Sequence, residues 1–254
     1  MPARKATASG KWSQSIWDVT PGVGDDVFAN NFTVEIDQNV NVGSLRTALS
    51  SGYAVAGGTF NIFQPYTVTV SGSGIVAGTT TCLTVNTSGS DAAKVIGVVT
   101  GGSSAAAYGT SNAGFGGLSV TGKVNGGTNA TAYGVYNASV GYVILSGNVL
   151  GSSTAPAVAQ GSTGTLLVSG TVTASTGAAG VVSSNIAARN EFTGSLVNSI
   201  SGRQAIYCAK YSIHPKMFDS STRHAVDTSG TSVTFYAPEA YSSTYVPHVS
   251  SVAL

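Results

Sequence analysis

Glycines recur at Gly72, Gly97, Gly122, Gly147, Gly170 and Gly194, in successive steps of 25, 25, 25, 23 and 24 along the chain. A period this nearly fixed is the mark of a repeat architecture and decides how the rest of the chain is read. The flanking columns repeat with it. Two positions before each glycine stand Val70, Val95, Val120, Leu145, Val168 and Phe192; four before stand Val68, Ala93, Leu118, Val143, Leu166 and Asn190. Two after stand Gly74, Val99, Val124, Val149, Val172 and Leu196. Residues two apart share a face of a strand, so these columns send one apolar edge of every repeat into a core. A second strand is expected around Ala-Tyr-Gly-Thr-Ser-Asn (107–112) and Ala-Tyr-Gly-Val-Tyr-Asn (132–137), with Leu83 one step earlier and Val158 one step later. A column of small residues, Cys82, Ala107, Ala132 and Ala157, precedes it.

A unit of two or three short strands cannot bury its apolar edge alone, but stacked units pair each strand with its counterpart one repeat away. The expected fold is all-β: a right-handed parallel β-helix, a solenoid of about 25 residues per coil. An antiparallel sandwich is the competing architecture, but it has no reason to keep successive steps so nearly equal. The expected organisation is an N-terminal arm over 1–24, the β-helix over 25–202 and a C-terminal β cap or tip over 203–254.

Composition narrows the partners. Only 8% of residues are charged, with 11 Lys+Arg against 10 Asp+Glu, and Gly accounts for 33 of 254. The surface is therefore neutral and hydroxyl-rich, with no field to gather nucleic acid or an anionic membrane. The basic start (Arg4, Lys5) has no apolar run behind it, and nowhere is there an apolar stretch long enough to span a bilayer. Neither a secretory signal nor membrane insertion is expected, and synthesis in a bacterial cytoplasm is. Cys82 and Cys208 are too few for a disulfide framework or a metal cage and read as buried thiols.

Chemistry is sparse along the ladder. Between Thr47 and Ile200 the only acids are Asp91 and Glu191, nearly four coils apart by the period, whereas a glycosidase needs its two carboxylates about 5 to 10 Å apart. His214, His224, Asp219 and Asp227 near the C-terminus lack any nucleophile elbow or metal-ligand spacing, and Gly72-Ser73-Gly74 lacks the Lys and helix of a phosphate loop. No catalytic residue, cofactor or metal is expected.

The run from Trp17 through Pro21, Gly24-Asp25-Asp26-Val27, Phe32-Thr33-Val34 and Val42-Gly43-Ser44-Leu45 resembles the opening coil of β-helical surface proteins of tailed bacteriophages and of related bacterial adhesins. The resemblance implies a virion protein, and three-fold packing is common among such proteins. It makes Trp12, Ile16 and Trp17 candidates for docking to other virion proteins of the tail or capsid. The outward column Thr69, Lys94, Ser119, Ile144, Leu167 and Glu191 places two large apolar groups among polar ones. With Val98 and Tyr142, Ile144 and Leu167 are the candidate homotrimer interface. Tyr236, Tyr241 and Tyr245 are candidate contacts to a host surface glycan or receptor. The expected function is a non-enzymatic tail spike or fibre with host adhesion. A head decoration protein is the alternative, and a polysaccharide-cleaving tailspike or a bacterial adhesin follows behind.

Overall fold

The computed structural model describes residues 1–175, 177–183 and 190–192 in full; strand backbone alone is described at Arg189, 195–198, 206–208, 210–213, 226–227 and 232–235. The chain winds as a parallel β-solenoid whose strands form two sheets. One sheet has 13 strands. In spatial order these are β1 (Ala3–Lys5), β3 (Asp26–Phe28), β5 (Val40–Arg46), β7 (Thr67–Val76), β9 (Ala92–Thr100), β11 (Gly117–Asn125) and β13 (Tyr142–Leu150). Then come β15 (Thr165–Ser169) with β16 (Thr171–Ala174), β18 (Arg189–Phe192) with β19 (Ser195–Asn198), β21 (Lys210–Ile213) and β23 (Ser232–Phe235). The other sheet has 10 strands, β2 (Gly10–Lys11), β4 (Thr33–Ile36), β6 (Thr59–Ile62), β8 (Leu83–Val85), β10 (Thr110–Asn112), β12 (Val135–Asn137), β14 (Val158–Gln160), β17 (Val181–Ser183), β20 (Ile206–Cys208) and β22 (Val226–Asp227). Alternating membership of the two sheets along the chain, with every neighbouring pair parallel, makes each winding one coil.

The expected inward column is present. Val95, Val120, Leu145, Val168 and Phe192 are paired strand to strand and all but excluded from solvent. The glycine column has a steric cause. Gly97, Gly122, Gly147 and Gly170 have φ of 133°, 137°, 140° and 152°, a region that side chains rarely occupy. A Cβ on Gly122 would lie 2.1 Å from the Gly97 carbonyl oxygen, and one on Gly147 2.0 Å from that of Gly122. Each glycine therefore lets its coil close onto the coil before it, and at Gly170 the long strand breaks into β15 and β16.

Two parts of the register depart from the period. In β7, five residues (70–74) stand opposite two (97–98), so Val68 pairs with Val95, and Gly72 lies in an irregular stretch instead of under Gly97. In the second sheet Leu83 and Val158 pair with Thr110 and Val135, two residues beyond Tyr108 and Tyr133. Cys82 accordingly donates its N–H to the Tyr108 carbonyl, and the buried alanines Ala107 and Ala132 share their turn position with Ala155 and Ala178. Turn length is the reason. The turn is closed by Gly102 N–H to Ala107 C=O and by Gly127 N–H to Ala132 C=O, but then by Ser152 N–H to Ala155 and Ser175 N–H to Ala178. Dropping two residues from that turn shortens the coil by the same amount and leaves the sheets undisturbed.

Residues 1–24 are not separate from the solenoid. β1 and β2 pair with β3 and β4, and the chain then folds back with an antiparallel bridge from Trp17 to Ala6. This return covers an edge that would otherwise expose unpaired strand groups. At the other end β20 to β23 carry both sheets past residue 202 in parallel register.

Candidate binding surface

Beneath the surface, the second sheet carries a ladder of amides. Asn112, Asn137, Gln160 and Ser183 occupy one inward column, all buried. Asn112 Nδ2 donates to Asn137 Oδ1 at 3.0 Å, and Asn137 Nδ2 donates to Gln160 Oε1 at 2.8 Å. The same nitrogens reach the carbonyls of Gly116 and Gly141, and Gln160 Nε2 donates to Ser162 C=O, tying each strand to the turn after it. The ladder ends at Val85, which pairs with Asn112, and Asn112 Oδ1 has no hydrogen-bond partner among the described residues. A buried amide is costly wherever a donor or acceptor goes unmet, and along the ladder that cost is confined to Asn112 Oδ1 at its end, so the ladder fixes coil spacing and register together.

On the outer side lies a cluster of tyrosines. Tyr108 and Tyr133, one coil apart, stack with rings 5.6 Å apart and an interplanar angle of 1°. The Tyr136 ring packs at 4.5 Å from Tyr108 and 5.8 Å from Tyr133. Tyr136 lies over Gly161, where a Cβ would meet the phenol oxygen at 2.2 Å. Burial, together with the neighbouring phenol of Tyr136, pushes the Tyr108 and Tyr133 hydroxyls above their ordinary pKa, so both stay neutral donors. None of the three hydroxyls has a hydrogen-bond partner among the described residues. Tyr53 and Tyr142 differ: the first donates to Ala3 C=O and Asp18, the second to Ser90 C=O.

The candidate interface residues lie on the outer face of the long sheet. Ile144 pairs directly with Leu167, and both are half-buried, as are Val98 and Tyr142. Tyr142 has an intrachain role, its ring lying over Gly117. Ile96, which pairs with Thr69, is 44% exposed and extends the apolar character of this face. Trp12 and Ile16 are buried in the end of the core and Trp17 packs against it, its Nε1–H donating to the Trp12 carbonyl. Met1, Val19 and Val23 are instead exposed at that end. Tyr236, Tyr241 and Tyr245, and the three histidines, lie outside the described residues.

An ionic network holds the N-terminal coils. Arg4 Nε donates to Asp25 at 2.9 Å; Arg46 lies 3.8 Å from Asp26, which accepts from the Ser44 hydroxyl. Lys5 donates to Tyr53 C=O and sits 4.8 Å over its ring. The Gly22 N–H, and then Arg4, hold the Asp25 carboxyl below its usual range against the effect of burial. For Asp18 and Asp37 burial pushes upward but is outweighed by hydrogen bonds, from Tyr53, Lys5 and Val19 to the first and from Ser13 to the second. Carboxyls shifted in this direction are poor general acids. Asp91, just before β9, and Glu191, within β18, lie four strand steps apart in the long sheet, about 19 Å at one strand spacing per coil. Cys82 is a buried free thiol, raised to about 12 by burial, and five sheet steps separate its coil from Cys208. Among the described residues no three His, Cys, Asp or Glu side chains gather as metal ligands, and no helix is long and apolar enough to cross a membrane.

The sequence pattern points to Tyr236, Tyr241 and Tyr245 as contact residues and marks Tyr108 and Tyr133 only as part of a strand repeat, so the cluster with Tyr136 is not expected from it. No protein-family model matches this chain, and neither a curated protein nor a solved structure is significantly similar to it.

Proposed function

We propose that this chain is a non-enzymatic bacteriophage virion protein, a trimeric β-helical tail spike or fibre that adheres to a host surface. The observation that carries the reading is the outer face of the long sheet. There Lys94, Ser119, Ile144, Leu167 and Glu191 form one paired column with two large apolar groups at its centre. A partner accounts for such a pair on a neutral face better than solvent does. Three parallel copies would set three binding surfaces side by side, and weak contacts would combine by avidity. The downward-shifted carboxyls and the separation of Asp91 from Glu191 support adhesion over glycan cleavage.

Light scattering of the purified chain tests the assembly: the expected mass is three times the 25.3 kDa of one chain. A monomer mass at micromolar concentration would overturn the trimer, and an Ile144→Asp, Leu167→Asp variant that still associates would overturn the interface. Antibody labelling of phage particles tests the location. Label on the tail is expected, label on the head makes the chain a decoration protein, and unlabelled particles defeat the virion reading.

A further inference from the structure

We infer that Tyr108, Tyr133 and Tyr136 form a binding site for an uncharged oligosaccharide. Four observations converge on it. First, three rings from two adjacent coils are gathered into one cluster on the outside of the second sheet. Second, the three hydroxyls are left without partners among the described residues, whereas Tyr53 and Tyr142 spend theirs on carbonyls and a carboxylate. Third, the cluster is held rigidly from beneath. Tyr136 rests on Gly161, and Ser111 and Ala159, the outward residues on either side of it in the sheet, are buried to 7% and 5% exposure. Fourth, the turns that carry Tyr108 and Tyr133 hold hydroxyl and amide groups fixed by hydrogen bonds: Thr81 Oγ1 accepts from Tyr108 N–H and donates to Ala106 C=O, and Thr131 Oγ1 donates to Asn129 Oδ1 while accepting from Ala106 N–H.

The chemistry of the ligand follows from these groups. Aromatic faces carry partial negative charge and attract the partly positive C–H groups on the flat side of a sugar ring. Free phenols and fixed threonine and asparagine groups suit the donors and acceptors around its edge. Charge selects against ionic ligands. Between 95 and 188 the only Asp, Glu, Lys or Arg is Lys123, on β11 of the other sheet, so neither a sulfated nor a uronic-acid chain would find a counter-charge. A protein partner would need about 800 Å² with an apolar centre, which three half-buried tyrosines do not supply. This site deepens the adhesive reading and stands on different residues from the trimer interface.

Saturation-transfer NMR with a panel of neutral hexasaccharides (cello-, malto-, laminari- and chitohexaose) and one polyanion, hexagalacturonic acid, tests the site on the whole chain. At least one neutral sugar is expected to bind with a millimolar or tighter Kd. Tyr136→Ala should weaken it at least about tenfold, with Tyr136→Phe between the two, while Phe115→Ala, at a 74% exposed ring in the turn before β11, leaves it unchanged. Silence across the neutral panel, preference for the polyanion, or equal binding by a Tyr136→Ala variant whose circular dichroism and melting match the parent would each overturn the site. Adhesion to bacterial cells separates the two proposals. Cell binding that survives Tyr108→Ser, Tyr133→Ser, Tyr136→Ser overturns the site and leaves adhesion standing. Sugar binding at the tyrosines without any cell binding overturns adhesion and leaves the site standing.

Discussion

The first three coils and the central coils solve the same problem, stacking strands in parallel, with different chemistry. Nine Asp, Glu, Lys and Arg residues lie in the first 46 positions, and only Asp91, Lys94 and Lys123 lie between 47 and 188. At the N-terminal end the coils vary in length. Asp26 meets its partner at Ser44, well short of the period, whereas Val40 meets its own only at Val68, beyond it. Ion pairs join these loops, which have no repeat to align them. In the centre the coils are nearly uniform, and alignment comes from the glycine column, the amide ladder and the apolar column, each recurring once per coil. Uniform coils can be locked by identical contacts, whereas irregular ones need specific pairs. The comparison therefore says where the solenoid resists substitution and where it resists acid.

The largest difference should appear at glycine. Gly122 and Gly24 both have positive φ, 137° and 84°, but a Cβ on Gly122 meets the Gly97 carbonyl at 2.1 Å while one on Gly24 meets nothing within 4 Å. Gly122→Ala should cost about 3 kcal/mol or more, combining backbone strain with a contact that only a coil shift relieves. Gly24→Ala should cost about 1 kcal/mol. Urea unfolding of the two variants measures both, and equal costs would mean that the glycine column does not govern coil closure.

The amide ladder comes next. Asn137→Leu removes a donor from Gln160 Oε1 and an acceptor from Asn112 Nδ2 at once, an expected loss of about 3 kcal/mol. Asn112→Leu strips only one ladder bond and also removes the unpaired Asn112 Oδ1 beside Val85, so it should cost less by about 1 kcal/mol. The reverse order in thermal melting would show that the ladder is not read from its Val85 end.

The smallest effect belongs to pH. Asp25 has a folded pKa held below its ordinary value, so its pairing with Arg4 stabilises the N-terminal coils above the unfolded-state value near ~3.9 and is lost as pH falls through the folded one. Hydrogen exchange at about pH 2 should show faster opening of the amides of Thr7 and Asp18, which bond to Ile16 and Lys5 across the N-terminal return, than at neutral pH after correction for intrinsic rates. The amides of Val120 and Val135 lie in coils whose own residues include no Asp or Glu and should keep their protection.

What the sequence revealed follows the same division. Gly97, Gly122, Gly147 and Gly170 were legible because one backbone conformation recurs at one place in each coil and only glycine satisfies it. Val120 and its column were legible for the matching reason that strand faces alternate. The phase of the second sheet was not: Leu83 pairs with Thr110 and not with Tyr108, because six residues separate Val76 from Leu83 and nine separate Thr100 from Thr110, and such a change of turn length shifts the alignment without leaving a mark in hydrophobicity. Trp12 and Ile16 read as a docking arm because large apolar groups beside a basic start resemble an interaction motif, and nothing in a single sequence says that the chain folds back over its own first strand. The repeated Asn112 and Asn137 were visible one period apart, yet their facing depends on the phase of that sheet. The Tyr108, Tyr133 and Tyr136 cluster likewise requires knowing which turn lies above which strand.

Parallel stacking in this register is the claim on which the rest depends, and a disulfide pair tests it most directly. Thr121, Ser146 and Ser169 point outward from successive coils and pair in order, so the first two should have Cα atoms about 4.8 Å apart and the outer two about twice that. A disulfide accepts separations up to about 7 Å. Oxidised Thr121→Cys, Ser146→Cys protein should therefore lose two hydrogens by mass as a monomer, with a peptide map joining the two sites, while Thr121→Cys, Ser169→Cys protein should retain free thiols. Cross-linking of the second pair and not the first would contradict the coil assignment.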